Sequence, residues 1–410
     1  MNVNERRSQL TEHVLRLRCA PLERVRVGMV GLGVRGQRAV ERLMNIEGAQ
    51  ITALCDFVDL NIEESKAIMR RYGSDDVVSF VGEDGWHRLC DREDVDLVYI
   101  CTDWLSHARI ALYAMERGKH VAMEVPAAMS VAECWQLVDA AERYRLHCIM
   151  LENCCYDEFE LATMNMVQQG VFGDVVHAEC SYIHDLRQRI STNEGGHRRW
   201  GNWQVEYMAT HIANIYPTHG LGPVALTLGI HRGDRMKNLV SVSSRMVGDE
   251  HFAGTMNSSI ITTEMGRTIL LQHCISLPRP YSRSFLLSGT QGYVQKYPTP
   301  HMAFTPDTDN LLSGRECEAL VEKYRHPIVE QYKEKGMELC GHRWIDYAMD
   351  SRLIHALRHG LALDMDVYDA AEWSSLVELT ELSARQGGAI VDIPDFTRGA
   401  WRELQGVNFE

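Results

Sequence analysis

The sequence predicts an α/β protein: a doubly wound parallel sheet in the N-terminal part, then an α+β domain with a largely antiparallel sheet. Three observations lead there. Short, almost continuously apolar runs alternate with helical patterns as far as residue 151, the grammar of a parallel sheet covered on both faces. A glycine triplet, Gly31-Leu-Gly33-Val-Arg-Gly36, falls between the first strand and the first helix of that series. Beyond Asn153 the runs lengthen, begin to alternate, and lose their intervening helices, as antiparallel strands do. The expected domains are therefore residues 22–153 and 154–410.

The first strand is residues 25–30. Residues 35–45 follow as a helix with Ala39, Leu43 and Met44 on one face. Strands are expected at 49–55, 95–101, 120–123 and 147–151, and helices at 61–72, 106–117 and 131–144. In the second half a helix at 157–169 precedes strands at 175–182, 258–264, 268–274 and 285–288, and a last helix covers 371–386. The stretch 185–207, rich in Gly, Arg and Asn, reads as a long functional loop.

Composition narrows the function. The 410 residues are 45% hydrophobic and 24% charged, enough for two buried cores. The formal charge, 42 − 56 = −14, argues against nucleic acid or an anionic membrane as partner. No apolar run approaches the roughly 20 residues of a membrane span, and residues 1–21 lack the apolar core of a signal peptide, so a cytoplasmic protein is expected. The twelve cysteines form no C-x-x-C pair and read as free thiols in a reducing compartment. The 18 histidines show no metal-binding spacing, and no metal is expected.

The glycine triplet carries a cofactor. Gly31 permits a tight turn, Gly33 lets a pyrophosphate approach the backbone, and Gly36 lets the helix pack closely on its strand. The free N–H groups of the helix start then face the phosphates. Asp56 ends the second strand, 20 residues past Gly36, where a carboxylate accepts ribose hydroxyls and repels a 2′-phosphate. This is a Rossmann fingerprint, and it favours NAD over NADP. Later strand ends offer Trp104 and His107, Glu124 with Val125, and Glu152 with Asn153.

With these residues in view, the chain resembles the Gfo/Idh/MocA oxidoreductase family and, within it, glycoside hydrolase family 109, the NAD-dependent α-N-acetylgalactosaminidase group. The resemblance runs from Val25 to about Trp401. It rests most on Leu151-Glu-Asn-Cys-Cys-Tyr156, Tyr182-Ile-His-Asp-Leu-Arg187 and Tyr216-Pro-Thr-His-Gly-Leu-Gly-Pro223. Asp366-Val-Tyr-Asp-Ala-Ala-Glu-Trp373 and Ile393-Pro-Asp-Phe-Thr-Arg-Gly399 match as well. The broader family usually has Glu-Lys-Pro after its fourth strand; here Glu124-Val125-Pro126 lacks the lysine of dehydrogenase chemistry and fits the glycosidase branch. Gln204 stands where the branch tends to have an arginine, with Arg198 and Arg199 nearby.

The resemblance implies that Val34, Arg35, Asp56, Trp104, His107, Glu124, Val125 and Asn153 line the NAD. It implies that Tyr182, His184, Tyr216, Pro217, Thr218, His219, Tyr297 and Glu152 surround a sugar. The implied reaction oxidises C3 of the sugar, eliminates the C1 substituent after loss of the C2 proton, adds water at C1 and reduces C3 again, with no net use of NAD. Such a cycle needs bases at the C3 hydroxyl and at C2, and groups that hold enolate charge. The residues suit it. Tyr182 and His184, two apart on a strand, share a face. Tyr216 and His219 bracket a Pro-Thr turn. His219 is the candidate for the C3 hydroxyl, Tyr182 the candidate C2 base, and Glu152 a helper for water or leaving group. A sugar or cyclitol dehydrogenase of the same fold and a non-catalytic NAD-binding regulator are the alternatives. A homo-oligomer is expected from an exposed sheet edge.

Overall fold

Strands that are apolar on both faces need cover on both, and the computed structural model builds a six-stranded sheet of that kind. It describes residues 12–74, 77–187, 202–248 and 253–410. Arg198 and Arg199, with the rest of 188–201, lie outside the described residues. The strands are β1 (Val25–Val30), β2 (Ala49–Asp56), β3 (Val78–Val81), β4 (Leu97–Ile100), β5 (His120–Met123) and β6 (Cys148–Met150). Their order is β3-β2-β1-β4-β5-β6 and every pairing is parallel. The order reverses between β1 and β4, so the crevice for a ligand opens at the ends of those two strands. All four residues of β4 are buried. β3 and the helix Gly85–Cys90 escape the sequence reading because β3 is a short edge strand, half exposed, without an apolar run.

The chain divides into two units: the first holds the chain up to Glu152 plus Tyr332–Ala371 and Asn408–Glu410, the second Asn153–Gln331 and Glu372–Val407. The expected boundary at 153/154 falls next to the break between Glu152 and Asn153, while 332–371 and the last three residues group with the first unit. Buried long-range pairs fix them there. Arg42 donates to Asp350 at 2.6 Å, the Tyr99 hydroxyl donates to Asp350 at 2.8 Å, and the Tyr368 hydroxyl donates to Glu142 at 2.7 Å. Partners 226 to 308 residues apart leave no local trace in sequence.

The second unit is built on a nine-stranded sheet. Its strands are β7 (Val175–Ile183), β8 (Met236–Ser244), β9 (Met256–Thr263), β10 (Thr268–Cys274), β11 (Ser282–Gly289), β12 (Gly292–Gln295), β13 (His301–Phe304), β14 (Asp307–Ser313) and β15 (Val391–Asp392). The order is β14-β13-β12-β11-β7-β10-β9-β8-β15; only β7 and β10 run parallel. Burial alternates along β9 and β11, so one face packs inward. Helix Thr218–Leu228 lies on that sheet, and a glycine makes the approach possible: a Cβ on Gly220 would sit 2.5 Å from the Ser181 carbonyl oxygen. The expected loop 185–207 is corrected at its end, where helix Asn202–Thr210 begins and carries Gln204. Among the described residues, no helix is long and apolar enough to cross a membrane.

Candidate active site

In the first unit the glycine loop has the shape its sequence implies. Gly31 has φ +87°, and a Cβ there would meet the Cys101 backbone at 2.6 Å. A Cβ on Gly36 would lie 2.1 Å from the Gly31 carbonyl oxygen, so helix and loop touch through bare backbone. Gly33 differs: a Cβ there would meet nothing within 4 Å. Helix Val34–Leu43 starts at Gly33 with no side-chain cap and no acidic residue in its first turn. By contrast, Asp103 caps helix Trp104–Glu116 by accepting from Ser106 N at 3.1 Å. An uncapped helix start beside open space at Gly33 fits the pyrophosphate of a dinucleotide.

The Asp56 carboxylate accepts from Leu32 N at 2.6 Å, Val58 N at 2.8 Å and Asn61 Nδ2 at 3.2 Å. It therefore holds the glycine loop to the end of β2 and keeps one of its roughly four lone-pair positions for a ribose hydroxyl. Val34 and Phe57 flank this region as apolar residues 52% and 73% exposed. Phe57 was not singled out by the sequence; an apolar residue directly after Asp56 is the signal that points to it. Arg35 donates from Nε to Glu124 and forks onto Asp346 at 3.0 and 3.2 Å, so two carboxylates fix the guanidinium beside the helix start. Asp346 sits on helix Trp344–His359, far outside the fingerprint.

Trp104, Val125 and His107 are buried. The His107 ring faces Pro126 O through Nδ1 at 2.8 Å and Thr102 O through Nε2 at 3.2 Å. Burial pushes its pKa down. With a single N–H in its neutral form, the ring donates to one of these carbonyls and packs against the other. Glu152, fully buried, closes the first unit, and Asn153 opens the second with its Oδ1 accepting from the Cys154 thiol at 3.4 Å.

In the second unit the two Tyr/His segments meet. The Tyr182 phenol lies 3.2 Å from His184 Nδ1 in hydrogen-bond contact. The Tyr182 ring is 5.1 Å from that of Tyr216 and 5.4 Å from that of His219, and the last two stand edge to face at 4.8 Å. Two local devices bring them together. The close approach at Gly220 sets the helix start against Ser181, next to Tyr182. The buried Asn214 accepts from Tyr216 N at 3.2 Å while its own N–H donates to Thr380, fixing the entry into the helix. Pro217 and Thr218 are buried, leaving Tyr216 and His219 as the partly accessible side chains of their segment. A Cys154 Sγ lies within 4.8 Å of a His219 ring nitrogen.

Tyr297 joins this group through a residue the sequence reading did not select, Tyr281, whose ring lies 6.0 Å from Tyr297 and 5.1 Å from His184. His273, paired in register with Tyr182 across β10 and β7, stacks on Tyr182 at 6.3 Å; burial pushes its pKa down to about 3, so it is neutral. Below Tyr297 lies a charge cluster. Arg283 donates to both oxygens of Glu160 at 2.7 and 2.8 Å, and Lys296 pairs with Asp157 at 2.6 Å. Burial raises Glu160 to about 7, while Lys296 and Arg283 hold Asp157 low against the same burial. Burial also raises the Tyr297 phenol above its usual value, keeping it a neutral donor.

Residues 156–403 match the family described as glycosyl hydrolase 109, C-terminal domain, and residues 25–151 match the oxidoreductase family with an NAD-binding Rossmann fold. A glycosyl hydrolase family 109 protein of Phocaeicola vulgatus is 49% identical over 95% of this chain and 99% of its own. An α-N-acetylgalactosaminidase of Bacteroides fragilis is 48% identical over 95% of this chain and 96% of its own. Among solved structures, a levoglucosan dehydrogenase in complex with NADH and L-sorbose superposes with a TM-score of 0.72 at 16% identity, covering 91% of this chain and 100% of that one. That likeness concerns the fold.

Proposed function

This chain belongs to glycosyl hydrolase family 109 and is an NAD-dependent glycoside hydrolase, and we propose that its substrate is an α-N-acetylgalactosaminide or a closely related hexoside. The observation that carries the reading is the Tyr182–His184 hydrogen bond at 3.2 Å with Tyr216 and His219 packed around it. It supplies two proton-transfer groups in one cluster, the number the cycle needs.

When bound, NAD would be held by the Gly31–Gly36 loop and Asp56 and would supply the hydride acceptor and donor for C3 of the sugar. The chain's own residues move the protons. His219 accepts the proton of the C3 hydroxyl as that carbon is oxidised, and returns it on reduction. Tyr182 removes the proton from C2, acidified by the neighbouring ketone; His184 shares the phenol proton and favours the phenolate that this step needs. Loss of that proton expels the group on C1, which leaves with a proton from Glu152 or from water. Water then adds at C1 and C2 regains a proton, so the sum is hydrolysis. Tyr216 and Tyr297 hold the sugar through their hydroxyls and rings. Glu124 and Asp346 hold Arg35 beside the phosphate-binding helix start.

We place the enzyme in a reducing cytoplasm, a setting that suits its free, mostly buried cysteines, and read it as a homo-oligomer. Val242 and Ile260, each 54% exposed on neighbouring strands β8 and β9, support an apolar contact face. Light scattering on the purified protein checks the assembly. The test of the chemistry uses nitrophenyl glycosides in deuterated water with no added NAD. Release of nitrophenol together with deuterium at C2 of the product is the expected result. Absence of cleavage of every glycoside, with NADH accumulating on free sugars, would leave a dehydrogenase instead.

A further inference from the structure

We propose that Tyr281 is a further sugar-contacting residue, a wall of the substrate site that joins the Tyr182/His184 pair to Tyr297. The inference rests on the reading of these residues as the sugar site. Tyr281 ends the segment between β10 and β11, directly before Ser282. Its ring centroid lies 5.1 Å from His184, 6.2 Å from Tyr182 and 6.0 Å from Tyr297. The planes cross at 79°, 84° and 75°, so Tyr281 is stacked on none of the three. It is also 43% exposed, one of two tyrosines so open among the described residues. A singly exposed aromatic on a surface is ordinary. One in ring contact with three residues of a sugar site, and still open on one side, has the form of a ligand wall: apolar C–H groups of a pyranose lie on the ring, and its hydroxyls reach the phenol.

The backbone behind Tyr281 is held firmly, as a positioned contact requires. Register shifts between Ser282 and Leu286 mark a bulge against β7, and Ser284 and Phe285 have φ +57° and +51°. Arg283, two residues on from Tyr281 and 4% exposed, anchors this bulge through Glu160 and Asp157. The bulge re-aims the start of β11, and Tyr281 is the side chain it delivers to His184. Its contacts are with the residues that surround the sugar ring, so the part of the substrate it meets is the ring and not the leaving group.

The test compares wild type, Tyr281→Ala and Tyr281→Phe on a nitrophenyl and a methyl glycoside of the same sugar, with titration of the free sugar by calorimetry. The expected result is KM raised about tenfold on both glycosides in Tyr281→Ala, free-sugar binding weakened equally, and most of the affinity kept in Tyr281→Phe. Melting temperature and bound-NAD absorbance should match wild type in both variants, which a general packing defect would not allow. Unchanged KM and sugar binding in Tyr281→Ala would overturn the inference while leaving the glycosidase intact. A KM rise confined to the nitrophenyl substrate would overturn it too, since that assigns Tyr281 to the leaving group. If wild type neither cleaves a glycoside nor binds a hexose, the proposed function falls and the inference with it.

Discussion

Gly33→Ala should separate cofactor binding from folding. Gly33 is extended, with φ −64° and ψ −170°, a conformation alanine adopts freely, and a Cβ there meets nothing within 4 Å. Alanine reduces the freedom of the unfolded chain, worth about 0.4–1 kcal/mol. It is also a poorer N-cap than glycine, by roughly 0.5–1 kcal/mol. The two nearly cancel, so the NAD-free protein should unfold within about 1 kcal/mol of wild type. In the proposed binding mode, however, the open space is where a phosphate approaches the helix N–H groups. Losing one or two charge-assisted hydrogen bonds at about 1.5–3 kcal/mol each weakens NAD about a hundredfold. Gly36→Ala is the control: its Cβ would stand 2.1 Å from Gly31 O, so helix and loop must part and stability should fall by about 1–3 kcal/mol as well. The assay is thermal unfolding of both NAD-stripped variants and an NAD titration of each. Full NAD affinity in Gly33→Ala, or a large loss of its NAD-free stability, would refute the argument.

Gly220→Ala should push the start of helix Thr218–Leu228 off Ser181, where a Cβ has 2.5 Å of room, and lower both stability (by about 1–3 kcal/mol) and kcat; a normal kcat would show that the approach does not position His219. Asp346→Asn keeps the shape of the side chain but removes the charge from its fork onto Arg35, leaving Glu124 in place; NAD retained after dialysis should fall about tenfold, and undiminished retention would remove Asp346 from cofactor positioning. His273, pushed down to about 3 from 6.5, keeps the folded state neutral at that position; its contribution is present above pH 6.5 and is lost as pH falls towards 3. At pH 4.5 the loss is about 3 kcal/mol, and urea midpoints should show a shallower acid slope in His273→Gln than in wild type.

The cofactor half of this protein is legible in its sequence because its signals are local. A parallel strand buried on both faces must be continuously apolar, and a phosphate turn must have glycine where a Cβ would strike backbone, as at Gly31 and Gly36. The spacing from Gly36 to Asp56 is set by one helix and one strand. β3 was not legible, because an edge strand of four half-exposed residues has no pattern to show. The Tyr/His cluster proposed to hold the sugar was legible in part. Period two put Tyr182 and His184 on one face, and the Tyr216–His219 segment stood out beside them. That the two segments touch was not written in either; it depends on Gly220 meeting Ser181 across the chain.

The sequence by itself determined the doubly wound sheet, the dinucleotide and, through its family motifs, the chemistry. The tertiary structure decided what depends on residues distant in the chain: that 332–371 belongs with the cofactor unit, that Asp346 holds Arg35, and that Tyr281 stands between His184 and Tyr297. The physical reason is range. Strand period, helix start and turn geometry are satisfied within a few residues and leave a pattern, whereas a buried ion pair or a ring contact constrains only its final position in space.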